Sequence, residues 1–480
     1  MLYNSFEFIF IFLPICLAVY YLSARLSRGL ANALLVVASL VFYAYWDWDR
    51  VLKSWPHFSL ADSNLALILL SITGNYVIGA LVRRFPKKWI LAIGVTANLS
   101  ALAYFKYANF ALFNWDTLTG QTFAPLQIVL PLGISFFTFT QIAFLVDAYK
   151  GAARELDFFR YCLFVVFFPH LIAGPIVHHS EIMPQFALAD SKKWQPNNIH
   201  IGIAFFTLGL CKKVIIADTC GPWANGVFDS TAAVHFFDAW RGAIAYTMQL
   251  YFDFSGYSDM AIGLSMLFNV RLPDNFDSPY RSVNIVDFWR RWHITLSRFL
   301  RDYLYIPLGG NRKGEGRRQL NLMVTMLLGG FWHGAGWTYI IWGGYHGVLL
   351  VVNHLWAKRR TPLPSPLARV LTFVAVVVGW VFFRSNSVDR AWHLLKSMAG
   401  ISSFGQKLLV SFDVSGYQML FLAVLVGFVN VMPTTKQWVE ARPLGFRRAL
   451  VLGCLFFLCL LWMRNALLIS APSQFIYFQF

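Results

Sequence analysis

Apolar residues fall along this chain in long blocks, separated by short stretches that hold nearly all of the charge. The blocks run to about 17 to 25 residues, the length a helix needs to cross a hydrocarbon layer about 30 Å thick. Spans are predicted at 6–22, 30–46, 62–82, 88–105, 130–147, 160–177, 199–217, 239–265, 319–339, 340–356, 367–383, 416–432 and 447–469. The fold class is therefore an all-α polytopic membrane protein, because a helix satisfies its own backbone polar groups in lipid. The first block lacks a basic flank on its amino side and is followed by Arg25 and Arg28. It reads as a retained span with the amino terminus outside.

Basic loops alternate with the early spans: Arg25 and Arg28 inside, Asp47 to Asp49 outside, Arg83 to Lys88 inside. Beyond about residue 160 the alternation fails, since Arg160, Lys192, Lys193, Lys212 and Lys213 flank successive blocks. Phe167 to Val177 contains Pro169, Gly174 and Pro175, which interrupt a helix. Irregular backbone at membrane depth persists only when protein surrounds it, so a re-entrant element is expected there. The chain shows no internal repeat and reads as one membrane-embedded domain, 1–480: amino-terminal spans 1–128, a core 129–356 and carboxyl-terminal spans 357–480.

Composition agrees: 58% of residues are hydrophobic and 13% charged, where soluble domains carry about 25% charged residues. The net charge of +17 sits in loops between apolar blocks. That placement fits an anionic lipid leaflet or an anionic substrate, and argues against nucleic acid. The six cysteines show neither C-x-x-C nor a Cys/His spacing suited to zinc, so neither a disulfide nor a metal site is expected. Nucleophile-elbow, H-E-x-x-H, Walker and dinucleotide motifs are absent, which disfavours serine hydrolases, zinc proteases and ATPases.

Candidate chemistry lies between Ser282 and Gly347. His333 sits in LLGGFWHGAGW, with no other Asp, Glu, Lys, Arg or His between Arg318 and His346. A helix from Arg318 would carry it about 22 Å from a charged boundary. A neutral imidazole there suits general-base work, and the surrounding glycines leave room for a substrate or for a close helix. His293 lies in DFWRRWHITLSRFLRD, where Asp287 can pair with Arg290 or Arg291, and Arg298 with Asp302. Its aromatic residues also suit an interfacial anchor helix. The loop from Tyr305 to Arg318 frees backbone N–H groups at its glycines and offers Asn311, Arg312, Lys313, Arg317 and Arg318. It suits phosphates, and equally an ordinary basic loop. Tyr251 and Asp253 lie in a polar run that can orient a histidine, cap a helix or bond between helices. His57, His235, His354 and His393 read as loop or span-end residues without special chemistry.

YFDFSGYSDMAIG from Tyr251, FWRRWH from Phe288, LRDYLYIPLGGNRKG from Leu300, FWHGAG from Phe331 and the terminal FIYFQF together resemble the membrane-bound O-acyltransferase family. PLGISFFTF from Pro131 and LIAGPI from Leu171 also fit, and the similarity is greatest to the bacterial branch containing alginate O-acetyltransferase. The resemblance implies a bundle of roughly 11 to 13 transmembrane or re-entrant helices with interfacial helices, in a bacterial inner membrane. It also implies transfer of acetyl from cytosolic acetyl-CoA, a donor substrate with no further cofactor, toward alginate, cellulose or another exported polysaccharide. His333 falls on the family's essential histidine and His293 on its second. Trp332 belongs to the same motif, and Arg290 and Arg291 join the loop residues as donor-binding candidates. A periplasmic acetyl-accepting protein and a polysaccharide synthase or export complex are the partners implied. His170, His178 and Gly336-Trp337 depart from the alginate-type pattern and leave the acceptor open. The rival classes are a polysaccharide or lipid flippase and a non-catalytic scaffold.

Overall fold

The computed structural model describes residues 1–47, 63–153, 157–188, 193–359, 363–401, 414–441, 445–469 and 473–476. His57, Lys192 and residues 477–480 of the terminal motif lie outside them. Among the described residues the secondary structure is helical, with no strand. Six helical runs are long and apolar enough to cross a membrane: Phe8–Leu26, Asn64–Arg84, Lys88–Thr119, Pro196–Phe228, Ser365–Arg384 and Phe446–Leu468. Arg28–Ala44, Ile134–Tyr149 and Gly416–Val431 are shorter apolar helices. Phe236–Leu267, Glu315–His333 and Trp337–Ala357 are long helices that carry polar residues among the apolar ones.

The chain forms two compact units. The first comprises Met1–Thr207, Ser258–Pro273 and Met463–Gln474. The segment expected to be re-entrant lies here, and it does not form a spanning helix. Phe158–Val166 ends at Phe167, a single short turn covers Phe168–Leu171, and Phe167 to Val177 is buried throughout. Its freed backbone is satisfied by protein: the Phe168 N–H donates to Ser39 Oγ at 3.2 Å, and Tyr3 Oη donates to the Phe168 carbonyl at 2.6 Å. That is the condition under which irregular backbone survives in an apolar setting. Reciprocal amide bonds between Asn75 and Asn98, and a Tyr161–Gln141–Ser71 chain, hold the surrounding helices by side-chain hydrogen bonding.

The second unit comprises Leu208–Tyr257, Asp274–Trp462 and Phe475–Phe480. It contains every candidate residue named above. Two sequence expectations change here. The span drawn at 319–339 is interrupted, because the helix ends at His333 and a new one starts at Trp337. The span drawn at 199–217 instead continues as helix as far as Phe228.

Candidate active site

Glu315–His333 and Trp337–Ala357 form a tight helical hairpin. A β-carbon at Gly330 would stand 2.3 Å from the Tyr339 carbonyl oxygen, and one at Gly343 would stand 2.3 Å from that of Met326. Only glycine permits backbones this close, so these two glycines serve the close helix rather than open space. At the end of the first helix, His333 is buried among rings: Trp332 at 4.9 Å, Trp342 at 5.1 Å and 87°, Phe383 at 5.3 Å and 75°. Fifteen residues of continuous helix separate it from Arg318, about 22 Å of rise.

His293 does not lie within a helix. Ile285–Arg291 ends before it, Ile294–Leu300 begins after it, and His293 itself is left-handed, with φ +43°. That conformation costs a non-glycine residue about 1–2 kcal/mol, which its neighbours must offset. They do so through Asn275. The Asn275 backbone carbonyl accepts from Ile294 N–H at 3.0 Å. Asn275 Oδ1 accepts from Thr295 N–H at 3.3 Å and Thr295 Oγ1 at 2.9 Å, and lies 3.0 Å from His293 Nδ1. Because the Thr295 N–H can only donate, that oxygen is an acceptor, and Nδ1 must carry the proton. Nε2 is then the basic nitrogen. Burial pushes the His293 ring down to about 3, so it is neutral at physiological pH. Phe288, Trp292 and Phe299 are buried in the protein, so this segment is core and not an interfacial anchor. His293 meets Phe254 at 4.7 Å, and a run of rings through Phe276, Trp292, Trp380 and Trp342 leads from there to His333.

At the other end of the Glu315–His333 helix lies the basic loop. Asn311, Arg312, Lys313 and Arg317 are exposed, as is Arg290, while Arg318 is half-buried. Gly309 and Gly310 take φ +111° and +54°, and Asn321 Nδ2 donates to the Gly310 carbonyl at 2.9 Å, tying the turn to the helix. Arg290 and Arg318 both act electrostatically on His354, so three cationic or protonatable groups from separate elements share one region. Arg291 is committed elsewhere, to Asp287 at 2.9 Å and Asp277 at 3.2 Å, and so is no free donor-binding group. Asp302 pairs with Arg301 at 2.7 Å.

Asp253 neither orients a catalytic histidine nor caps a helix. Its Oδ1 lies 2.7 Å from Lys213 Nζ, which is also 2.7 Å from Asp218, and its Oδ2 accepts from the Ile476 N–H at 2.9 Å. Lys213 had looked like a loop cation beside Lys212; two carboxylates let it be buried. Tyr251 packs against Tyr280 at 5.2 Å and Trp292 at 6.3 Å, as part of the aromatic wall. Asn275, Lys213, Trp342, Trp380 and Phe383 escaped sequence reasoning because each acquires its role from a distant segment.

The model of the membrane-bound O-acyltransferase family matches residues 88–387, which takes in every motif of the resemblance except the terminal FIYFQF. The chain is 42% identical to a peptidoglycan O-acetyltransferase of Helicobacter pylori over 84% of its length and 80% of that protein's. It is 41% identical to the probable alginate O-acetylase AlgI of Pseudomonas aeruginosa, over 89% of this chain and 80% of the relative. A teichoic acid D-alanyltransferase of Bacillus subtilis is 31% identical over 54% of this chain and 70% of its own.

Proposed function

Because this chain belongs to the membrane-bound O-acyltransferase family, we propose that it moves acetyl from cytosolic acetyl-CoA to a hydroxyl of an exported glycan, with His333 as the catalytic base. The chain is a multi-pass membrane acyltransferase of the alginate and peptidoglycan O-acetylase type. The alginate and peptidoglycan relatives are near-equal in identity, so both glycans belong in the acceptor panel. Cellulose belongs in the same acceptor panel. D-alanyl transfer is less favoured, since those relatives match little more than half of this chain.

One observation carries the reading: a single helix has the basic loop at its start and the buried imidazole at its end. Acetyl-CoA phosphates dock near Arg290, Arg312, Lys313, Arg317 and Arg318, with Asn311 and His354 alongside, and the thioester reaches His333. The His333 imidazole takes the proton of the acceptor hydroxyl as its oxygen attacks the thioester carbonyl carbon. The C–S bond then breaks, and the departing thiolate takes that proton from the imidazolium. General-base assistance of this kind contributes about 10²- to 10⁴-fold. Water is excluded by Trp332, Trp342 and Phe383, which strengthens the electrostatics of the step. His293, neutral with a basic Nε2, orients the reacting groups. The chain acts in the bacterial inner membrane, alongside a periplasmic acetyl-accepting or acetyltransferase partner that completes delivery to the glycan and a glycan synthase or export complex. Radiolabelled acetyl-CoA supplied to membranes containing the chain, with alginate, peptidoglycan strands and cellulose as acceptors, tests the scheme. Full transfer by His333→Ala would refute it, and so would export of unmodified polymer without any acetyl transfer, the outcome a flippase gives.

A further inference from the structure

His346 lies one helical turn beyond Trp342 on Trp337–Ala357 and is wholly buried. Neither of its ring nitrogens has a hydrogen-bond partner among the described residues, and the same holds for Nε1 of Trp342 and Nε1 of Trp289. These three side chains touch one another. His346 meets Trp342 at 5.0 Å and Trp289 at 5.2 Å, and the two indoles stand 5.8 Å apart. Phe288 lies parallel to the imidazole at 6.3 Å. Residue 379 is glycine, and a β-carbon there would stand 2.9 Å from His346 Nε2, so any larger residue on the neighbouring helix would crowd that nitrogen.

Ring packing alone does not call for histidine here. Phenylalanine would fill nearly the same space without desolvating two polar atoms, each of which costs about 1–3 kcal/mol when left unsatisfied. Buried polar groups in native proteins nearly always find a partner, protein or water. The group presents three N–H donors, two indole and one imidazole, and one imidazole acceptor. Water both accepts and donates hydrogen bonds and so serves donors and acceptor alike, whereas an ion of either sign would match only one kind.

We propose that His346 is a positioning residue: with the indole N–H groups of Trp289 and Trp342 it binds buried water, and that water holds Trp342 edge-on against the imidazole of His333. The inference rests on His333 as the catalytic base. Trp342 meets His333 at 5.1 Å and 87°, so a rotation of the indole would release the imidazole from its set orientation. Misplacement of a reacting group by about 1 Å costs on the order of a hundredfold in rate.

The test compares His346→Phe, which keeps the ring and removes the nitrogens, with His346→Gln, which keeps a donor and an acceptor. Full-length variants are assayed in membranes for initial rate against radiolabelled acetyl-CoA concentration, and for thermal unfolding in detergent. His346→Phe is expected to unfold no earlier than the parent, yet to lose at least about tenfold in kcat with KM for acetyl-CoA within about twofold. His346→Gln should recover most of that loss. A parental rate in His346→Phe, or no recovery in His346→Gln, overturns the proposal. His333→Ala in the same preparations separates the two readings: if it stays active, the catalytic assignment fails, and if it is dead while His346→Phe is normal, only the water pocket fails.

Discussion

His293 and His333 are both buried, but the chain treats them differently. His333 ends a regular helix and is fixed by rings, while His293 breaks the backbone and is fixed by Asn275. The His293 ring is held down at about 3 by burial, against an ordinary value of 6.5. Between those two values the unfolded chain binds a proton that the folded chain refuses. Stability therefore falls as pH drops from about 6.5 toward 3, and the contribution is complete above 6.5. His293→Asn, whose amide N–H can replace Nδ1–H, should flatten that part of a pH series of unfolding temperatures; an unchanged slope would contradict the assignment. The burial of His333 was legible from the sequence because the histidine stands alone among apolar and small residues. His346 was not, since its meaning lies in Trp289, Trp342 and Gly379, on three separate segments.

At the scale of elements, apolar block length located most helices to within a few residues, as with 367–383 against Ser365–Arg384. Two features were beyond its reach. The break at Trp292–His293 follows no glycine or proline and depends on Asn275, and the interruption at Gly334–Gly336 sits inside an apolar run that periodicity joins together. The hairpin gives a direct check. Gly330→Ala drives a β-carbon into backbone that cannot rotate away, which should cost at least about 1–3 kcal/mol of stability. Gly427→Ala, in a helix and with nothing within 4 Å, should be neutral or should stabilise by up to about 1 kcal/mol. Thermal unfolding of the two variants side by side distinguishes a packing glycine from an incidental one. The basic loop makes a different prediction, because its exposed side chains are where the donor is proposed to dock. Neutralising Arg312, Lys313 and Arg317 together to Gln should raise KM for acetyl-CoA by about tenfold or more with kcat little changed, and the effect should shrink at high salt.

Across the whole molecule, family and membrane character were readable because they rest on block lengths and long contiguous motifs. The buried ionic group was not, because Asp253 and then Ile476 join Lys213 and its near neighbour Asp218 from distant parts of the sequence. Lys213→Met leaves Asp218 and Asp253 without their shared cation. It should destabilise the protein by about 3–5 kcal/mol, readable as a lower unfolding temperature, whereas a merely solvated lysine would be replaced without effect. In the proposed reaction a buried imidazole at the end of a helix, reached from a basic loop, assists acetyl transfer as a base. The most direct measurement is the rate at which label passes from acetyl-CoA into glycan in membranes carrying the chain or its His333→Ala variant. The expected result is transfer by the parent and a loss of at least about a hundredfold in the variant, with equal amounts of folded protein. Equal rates from the two would contradict the account.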